Sequence, residues 1–522
     1  MTITTTIRQP RVTVNIIPAS FEAQNTEQKI LIVGQVTSGS VIPVAGFPVL
    51  VENIANGGVE DALFGEDSML STLIRANKVR NQQVQVDALA IDDDSAVQAT
   101  GEMDVSGTAS ENGELIIVAG SEKNHKYSVA IVDTDTATVV GDVIAAVINA
   151  DTNSPVTASN STGTVTITAV NGGTYGNSIP LEIQGEVAGL TTTVTAMTGG
   201  VSDPTSASMF DAIGERRYQA IVWPYPNDTS FVLDLLDPRF NVDGTILDGV
   251  AFTALNDTIG NLEALATPLN SQSLVIFGGN LEVETNYAGG DIVEIPMVKA
   301  AQFAGFRGLR LDVDGHSIAD LVIANSGPLD SFGGPALASK PYFNTPFADL
   351  FVIKAGRGFD DTEIESLLDV GISVVGNNIA ANTIISGEVV TTYKTDVAGN
   401  EDVSFKFLNY VDTISQSREY FFNNYRKRFA QSRLTEGDIF TGRDIVNAQV
   451  IRSYSKRLYQ DLSGIDFVLL EAGEDALIFF DTNLIITIDK VLGKATIQMT
   501  VPIVTQLREI LATLQIAFST EA

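Results

Sequence analysis

The chain has 522 residues, of which 44% are hydrophobic and 18% charged, and it carries a net charge of −33. This composition excludes a disordered chain, and the length predicts two to four domains rather than one core. The absence of Cys excludes disulfides and thiolate metal sites, and the acidic balance disfavours a protein that wraps nucleic acid.

The N-terminal segment alternates apolar and polar residues from Arg11 to Ile16, which is the period of a strand. Pro10 and Pro18 flank this run and exclude a long central strand. The pattern fits either an edge strand of its own domain or an arm that pairs elsewhere. We expect no secretory signal here, because no basic region precedes an apolar stretch, and no apolar run is long enough to span a bilayer. The expected compartment is the cytoplasm.

A β-α-β rhythm follows. Lys29 to Val36 is a short apolar run, Asp61 to Asn77 has helical spacing, and Val84 to Ile91 is again typical of a strand. This order predicts the start of an α/β layer domain.

The composition changes near residue 100, where Thr, Ser, Gly and Asn become frequent. Short strand patterns alternate with turn signals up to about residue 200, and one amphipathic helix is predicted from Val139 to Ala150. We interpret this stretch as a small sandwich-like insertion, because the β-α rhythm resumes after it.

Strands at Ala220 to Trp223 and Gly371 to Val375 then alternate with helices such as Thr362 to Val370. The C-terminal part predicts two long helices, Thr413 to Arg433 and Gly442 to Asp461. A hairpin that turns at Gly493 follows.

Candidates for catalysis lack the partners that a catalytic site needs. His316 lies beside Asp312 and Asp314 without a nucleophile elbow, so a structural loop is the simpler interpretation. Gly356-Arg357-Gly358 lacks the third Gly of a dinucleotide site, Gly493-Lys494 reads as a turn, and the acidic run from residue 92 to 94 reads as a junction turn. We predict no catalytic, cofactor-binding or metal-binding residue and no cofactor.

One segment is basic. From Ser415 to Gln460 there are nine basic and four acidic residues, a net charge of +5 in an acidic chain. Arg426, Lys427 and Arg428 lie between two aromatics on a predicted helix, and Arg433 follows. The segment is either a solvated helix face or a contact surface for an acidic protein, and nucleic acid is a third, weaker alternative.

Four stretches carry a resemblance to a known family: IPASFEAQNT, VQATGEMDVSGTASENGELIIVAG, VVTTYKTDVAGNEDVSFKFLNYVDTISQSREYFFNNYRKRF and KATIQMTVPIVTQLREILATLQIAF. Taken in this order, they resemble the tail sheath proteins of contractile bacteriophages, most closely the Mu-like branch. The segment between Gly464 and Val491 departs from that pattern in its length and apolar character.

The resemblance implies an α/β core, subtilisin-like in one interpretation, with an inserted all-β sandwich-like domain and an α+β C-terminal domain with extended terminal arms. The implied segments are an N-terminal arm (1–25), the core (26–99 and 203–385), a β-rich outer insertion (100–202), an inner tube-facing domain (386–504) and a C-terminal arm (505–522).

The implied function is structural rather than enzymatic. Subunits would polymerise as stacked rings around the tail tube and contract to drive it through the host envelope. The implied partners are further copies of the chain, the tail tube, baseplate and tail terminator proteins, with no nucleic acid and no membrane insertion. The protein would be part of the virion and assembled in the host cytoplasm.

The resemblance also implies site residues. Tube-facing contacts would come from Arg426, Lys427, Arg428 and Arg433. The arm strands that link subunits would contain Val12, Val14, Ile16, Gln515, Ile516 and Phe518. The alternatives are a β-rich surface array or adhesin-like protein, which predicts an export signal, and a subtilisin-like hydrolase that uses His316.

Overall fold

The computed structural model describes residues 28–44, 46–55, 58–81, 83–93, 96–205, 208–240, 246–312, 338, 341–343, 345, 347, 350, 352–377, 383–437, 444–464 and 469–505. The arm strands predicted at both ends and the loop residue His316 lie outside these residues.

The first part of the chain forms β1 (Lys29–Gln35), β2 (Val49–Val51), α1 (Val59–Phe64), α2 (Met69–Arg80) and β3 (Gln85–Ile91). The strands β1 and β3 are parallel and buried on both faces, as expected for the centre of an α/β sheet. The single helix predicted from Asp61 to Asn77 is two helices, because Gly65 ends the first with a φ of 95°.

The middle part forms β4 (Gln98–Gly107), β5 (Gly113–Ala119), β6 (Lys126–Ile131), α3 (Ala137–Asn149), β7 (Val156–Ser161), β8 (Thr164–Gly172), β9 (Leu181–Gln184) and β10 (Leu190–Thr198). The predicted helix from Val139 to Ala150 is thus confirmed as α3. Its buried side packs on a four-stranded antiparallel sheet in the order β10-β4-β8-β7.

The β-α rhythm then resumes with β11 (Ala220–Val222), α4 (Ser230–Phe240), β12 (Val250–Asp257), α5 (Ile259–Ala266), β13 (Leu274–Glu284), β14 (Tyr287–Gly290), α6 (Pro296–Leu311), α7 (Asp361–Val370), β15 (Ile372–Asn377) and β16 (Thr383–Ser386). Strands β3, β1, β11, β12, β13 and β15 lie side by side and parallel, and β2 and β16 pair antiparallel at the two edges. The described part of the chain is therefore a mixed α/β fold with several sheets.

The long strand β13 joins this sheet to a second one. Its first half pairs with β12 and β15, and its second half pairs with β14, which continues through β9 to β5 and β6. Strand β14 lies after the predicted insertion in sequence, so the insertion shares a sheet with the core. One hydrophobic cluster accordingly runs from the core strands into α3 and β8.

The C-terminal part forms α8 (Leu408–Phe429), β17 (Arg433–Leu434), β18 (Ile445–Val446), α9 (Ala448–Leu462), α10 (Glu474–Thr482), β19 (Ile485–Asp489) and β20 (Lys494–Gln498). The predicted hairpin is confirmed by β19 and β20, which pair antiparallel around Gly493 with its φ of 61°. A second hydrophobic cluster, which includes Phe421, Leu458 and Phe480, holds these elements together.

Candidate interaction surface at the end of helix α8

Helix α8 connects the two hydrophobic clusters. Leu408 and Val411 in its first turn belong to the main cluster, and Phe421, about three turns later, belongs to the C-terminal one. Most residues of the first half are buried, and the last four are largely exposed. The helix thus begins inside the α/β core and ends at the surface of the C-terminal part.

Buried ion pairs hold the first half of α8 against the core. The Asp412 carboxylate accepts hydrogen bonds from the Arg307 guanidinium at 2.5 Å and from the Tyr342 hydroxyl at 2.5 Å. Arg307 comes from α6, the helix that covers the parallel sheet. Sequence reasoning missed this pair, because its two members lie 105 positions apart and neither stands in a motif.

A second group of charges lies about two helical turns further on. Arg217 pairs with Glu419 at 2.8 Å and with Asp248 at 3.0 Å, and Arg418 pairs with Asp248 at 2.9 Å. Burial by itself favours the neutral acid at Asp248, but the two guanidiniums outweigh it and lower the pKa of this carboxyl. Arg418 is therefore a structural residue of the core and not part of a free basic surface.

Aromatic side chains at four-residue spacing orient the second half of α8. Phe421, Tyr425 and Phe429 stack along one face with ring centroids 5.9 and 6.2 Å apart. Tyr454 of α9 packs edge-on against Phe429 at 5.3 Å, and the hydroxyls of Tyr425 and Ser455 lie 2.6 Å apart. This face of α8 is consequently fixed on α9.

The three basic residues between Tyr425 and Phe429 point elsewhere. With Tyr425 and Phe429 turned toward α9, Arg426, Lys427 and Arg428 fan around the outer side of the last turn, and all three are exposed. Cations at this end of a helix complement the partial negative charge of its last carbonyls. Arg433 in β17 is also exposed, and none of the four forms an ion pair with a described carboxylate. We call these four residues the basic helix end.

The rest of the basic segment is different. Arg452 and Lys456 of α9 both pair with Asp481 of α10 at 2.9 Å. Together with Arg418 they join elements within the chain, and Arg443 lies outside the described residues. The sequence therefore predicted more free positive charge than the structure has. The carboxylates that pair with Arg418, Arg452 and Lys456 come close to them only in the folded chain.

The hairpin of β19 and β20 is a ribbon of two strands. Residues alternate along both strands between half-buried and exposed, and the half-buried ones, which include Ile486 and Ile497, pack on the C-terminal cluster. Within the described part of the chain the only strand partner of β19 is β20, so the outer edge of each strand leaves backbone N–H and C=O groups open to further pairing.

The remaining sequence motifs have structural surroundings. Arg357 is buried and stacks on the ring of Tyr287, with the guanidinium carbon 3.5 Å from the ring centroid. Asp93 accepts hydrogen bonds from Gln35 at 2.7 Å and Asn171 at 3.0 Å, and so ties β1 to the end of β8.

The described residues offer neither a metal-binding cluster nor a membrane-spanning helix. They contain no group of three His, Asp or Glu side chains placed to hold a metal ion. No described helix combines the length and apolar character that crossing a bilayer requires.

Comparison with known proteins gives one sequence relative. No family model matches the chain. The Mu-like prophage FluMu tail sheath protein of Haemophilus influenzae is 25% identical over 446 residues, which cover 83% of this chain and 82% of the relative.

Two solved structures align along nearly the whole chain, both at 10% identity. A sheath tail protein from Listeria innocua has a TM-score of 0.43 and covers 92% of each chain. The helical sheath of the anti-feeding prophage in its contracted state has a TM-score of 0.39 and covers 96% of this chain and 99% of the other. The sequence relative confirms the resemblance that the four ordered segments carry: the chain is similar to a Mu-like prophage tail sheath protein, and that relative is a structural protein rather than an enzyme.

Proposed function

We propose that the chain is the structural subunit of a contractile phage tail sheath, a virion component that is assembled in the host cytoplasm. Subunits polymerise as stacked rings around a tail tube and contract to drive it through the host envelope. The observation that carries the proposal is the similarity to a tail sheath protein over 83% of the chain. Baseplate and tail terminator proteins then cap the two ends of the polymer.

Terminal arms link the subunits in this proposal. The arm strands of residues 1–25 and 505–522, with Val12, Val14 and Ile16 at one end and Gln515, Ile516 and Phe518 at the other, pair with a sheet of a neighbouring subunit. The β19–β20 ribbon supports this idea, because it has two open edges among the described residues and an anchored inner face. Strand addition makes main-chain hydrogen bonds with little demand on side chains. A head-to-tail contact of this kind need not close and so generates a helical tube.

The basic helix end faces the tail tube in this proposal. Its four cations are exposed, three of them on a helix that the core and α9 hold firmly and Arg433 on β17, and the rest of the chain is acidic. Exposed ion pairs contribute only about 0–1 kcal/mol each. Contacts of that strength suit a surface that grips an acidic tube before contraction and releases it afterwards. The inserted region 100–202 then lies on the outer side and the segment 386–504 on the inner side.

Electron microscopy of the purified chain tests the assembly. We expect the full chain to form long hollow tubes in negative stain and a version that lacks residues 1–18 to remain unpolymerised, because its subunits cannot exchange arms. Circular dichroism of the truncated chain provides the control for folding. Compact monomers or closed rings from both chains would contradict the proposal and favour a surface-array protein or an enzyme.

A further inference from the structure

A buried lysine lies against an amide and a carboxylate at the carboxyl end of strand β12. Lys299 and Asp291 are each about 1% exposed. The Lys299 ammonium donates to Asn256 Oδ1 at 3.1 Å and to Asp291 Oδ1 at 3.2 Å. Three chain segments meet here: Asn256 belongs to β12, Asp291 follows β14, and Lys299 is the fourth residue of α6.

Two glycines, which have no side chain, provide the space in which the three side chains meet. A Cβ added to Gly279 would clash with Asn256 and lie 2.7 Å from both Asp291 Oδ1 and Lys299 Nζ. A Cβ added to Gly290 would clash with the Asn256 carboxamide. Gly279 is also the register partner of Asn256 in the parallel pair β12–β13. Any larger residue at either position would push the amide away from the lysine.

An ion pair between Lys299 and Asp291 does not satisfy all the hydrogen-bonding atoms of this site. Asp291 Oδ2 is buried and has no hydrogen-bond partner among the described residues. The helix macrodipole disfavours a cation near the N-terminus of α6, where Lys299 lies. A buried ion pair also costs desolvation energy, which only good geometry and full hydrogen bonding offset. Proton transfer from the ammonium to the carboxylate would remove both charges and convert Oδ2 or Oδ1 into a donor.

We propose that Lys299 and Asn256 form an intramolecular isopeptide bond and that Asp291 promotes the reaction by moving protons. The neutral Lys299 amine attacks the Asn256 carboxamide carbon, so that the Nζ–Cγ bond forms and the Cγ–Nδ2 bond breaks. The products are a secondary amide and ammonia, and no oxidant or other reactant is required.

The protons balance through Asp291. Its carboxylate first takes a proton from the Lys299 ammonium, which releases the nucleophilic lone pair. After attack, the proton lost by Nζ is delivered through the Asp291 carboxyl to the departing nitrogen, which leaves as ammonia and takes up a further proton in water as ammonium. Burial raises the pKa of Asp291 and the Lys299 ammonium opposes that rise, so the site favours the protonated carboxyl more than water does.

Besides proton transfer by Asp291, the fixed positions of the two reacting groups favour this reaction. Well-oriented intramolecular groups reach effective molarities of about 10⁵–10⁸ M, which is the advantage that makes amide exchange between side chains feasible. The bond would join β12 to α6 across 43 positions of sequence, within the core that carries α8. Such a covalent link resists mechanical unfolding of this part of the sheet.

Mass spectrometry of the purified full chain tests the proposal. We expect the intact mass, measured after denaturation, to be lower than the sequence mass by one ammonia. Acylated Lys299 is no substrate for trypsin, so the digest should contain one peptide that reads through this position and keeps Asn256 in an internal loop. The stretch from residue 240 to 298 contains no other Lys or Arg, so the read-through is unambiguous. Lys354, whose partly exposed ammonium pairs with Glu182, should be cut normally.

Two variants separate the isopeptide from other chemistry. Lys299→Arg keeps the positive charge and should restore the full mass, whereas a succinimide at Asn256-Asp257 would still lose ammonia in this variant. Asp291→Asn should abolish or strongly slow the loss. The read-through at Lys299 of the natural chain decides the matter even if both variants fail to fold. Normal cleavage after Lys299 in a chain of full mass would overturn the proposal, and loss of water instead would overturn the assignment of Asn256.

Discussion

The buried Asp412 carboxylate, which pairs with Arg307, anchors the first half of α8 to the core. Asp412 is about 1% exposed, and it is the partner of both the Arg307 guanidinium and the Tyr342 hydroxyl. A buried pair adds little net stability over an apolar replacement, but removal of one partner leaves an uncompensated charge in the interior.

Asp412→Asn should therefore destabilise the fold strongly. We expect a loss of about 3–5 kcal/mol in the free energy of unfolding, because the Arg307 charge stays buried without its counter-ion. Urea denaturation followed by circular dichroism measures this change. The matched control is Glu436→Gln, which breaks the exposed pair with Lys490 and should cost at most about 1 kcal/mol. Equal losses from the two substitutions would contradict this interpretation.

A second residue makes stability depend on pH. Glu294 is buried beside Ser121, and its pKa is raised by burial from 4.5 to about 7, although the Ser121 hydrogen bond opposes the rise. The folded chain therefore holds a proton that the unfolded chain releases. This contribution to stability is fully present below pH 4.5 and is lost as the pH rises to about 7.

Glu294→Gln should remove this part of the pH dependence, because a neutral amide replaces the carboxyl. We expect the variant to gain up to about 3 kcal/mol relative to the natural chain between pH 5 and pH 8. Thermal melting across this range checks the difference. Glu102→Gln, on an exposed position of β4, is the control and should leave the pH profile as it is. A parallel decline of the Glu294→Gln variant and the natural chain would contradict the assignment.

At the scale of elements, the basic helix end gives the sharpest prediction. Replacement of Arg426, Lys427 and Arg428 by Glu should weaken binding to purified tail tubes about tenfold or more at low salt, since three exposed attractions become repulsions. The difference should shrink as salt rises, because exposed charges are screened. Cosedimentation with tubes provides the measurement.

Single substitutions supply the control for this experiment. Lys427→Glu removes a charge from the basic helix end, whereas Arg457→Glu makes the same change on an exposed position of α9. Only the first should weaken binding. If both variants bind tubes equally well, the tube-facing assignment of α8 is wrong.

The elements also show what the sequence could predict. Periodic stretches such as β1, β3 and α7 were predicted because hydrophobic spacing and helix-start signals act locally; Asp360 indeed forms a capping box with Glu363. Gly65 divides the helix that was predicted from Asp61 to Asn77 into two. The spacing of apolar residues does not reveal such a break. The turn at Gly399 is flanked among the described residues by isolated bridges, such as Thr395 with Glu401, and not by strands.

Long-range contacts were out of reach. The pairing of β14 with β9 links residues more than a hundred positions apart, and no local pattern specifies it. No local pattern specifies the carboxylates that neutralise Arg418, Arg452 and Lys456 either, although Asp481 lies only 29 and 25 positions from Arg452 and Lys456. The basic residues of the candidate site were visible because they cluster in sequence. The anchors that orient them were not, because they meet only in the folded chain.

At the scale of the whole molecule, contraction needs an energy source, and the proposed function includes no nucleotide. We infer that the extended lattice is metastable and that the contracted lattice buries more surface between subunits, so that the change spreads from subunit to subunit. Scanning calorimetry should then give a higher melting temperature for contracted than for extended sheath. A lower one would contradict the mechanism.

Helix α8 gives such a molecule a lever arm. With 22 residues it is about 33 Å long, its fulcrum lies among the core residues around Asp412, and its tip carries the basic helix end. The tip lies about 24 Å from this fulcrum, so a tilt of about 10° displaces it by about 4 Å, which is enough to separate an ion pair. A modest reorientation of the core during contraction would thus break every contact at the tip at once. The sheath would then release its tube without any local unfolding.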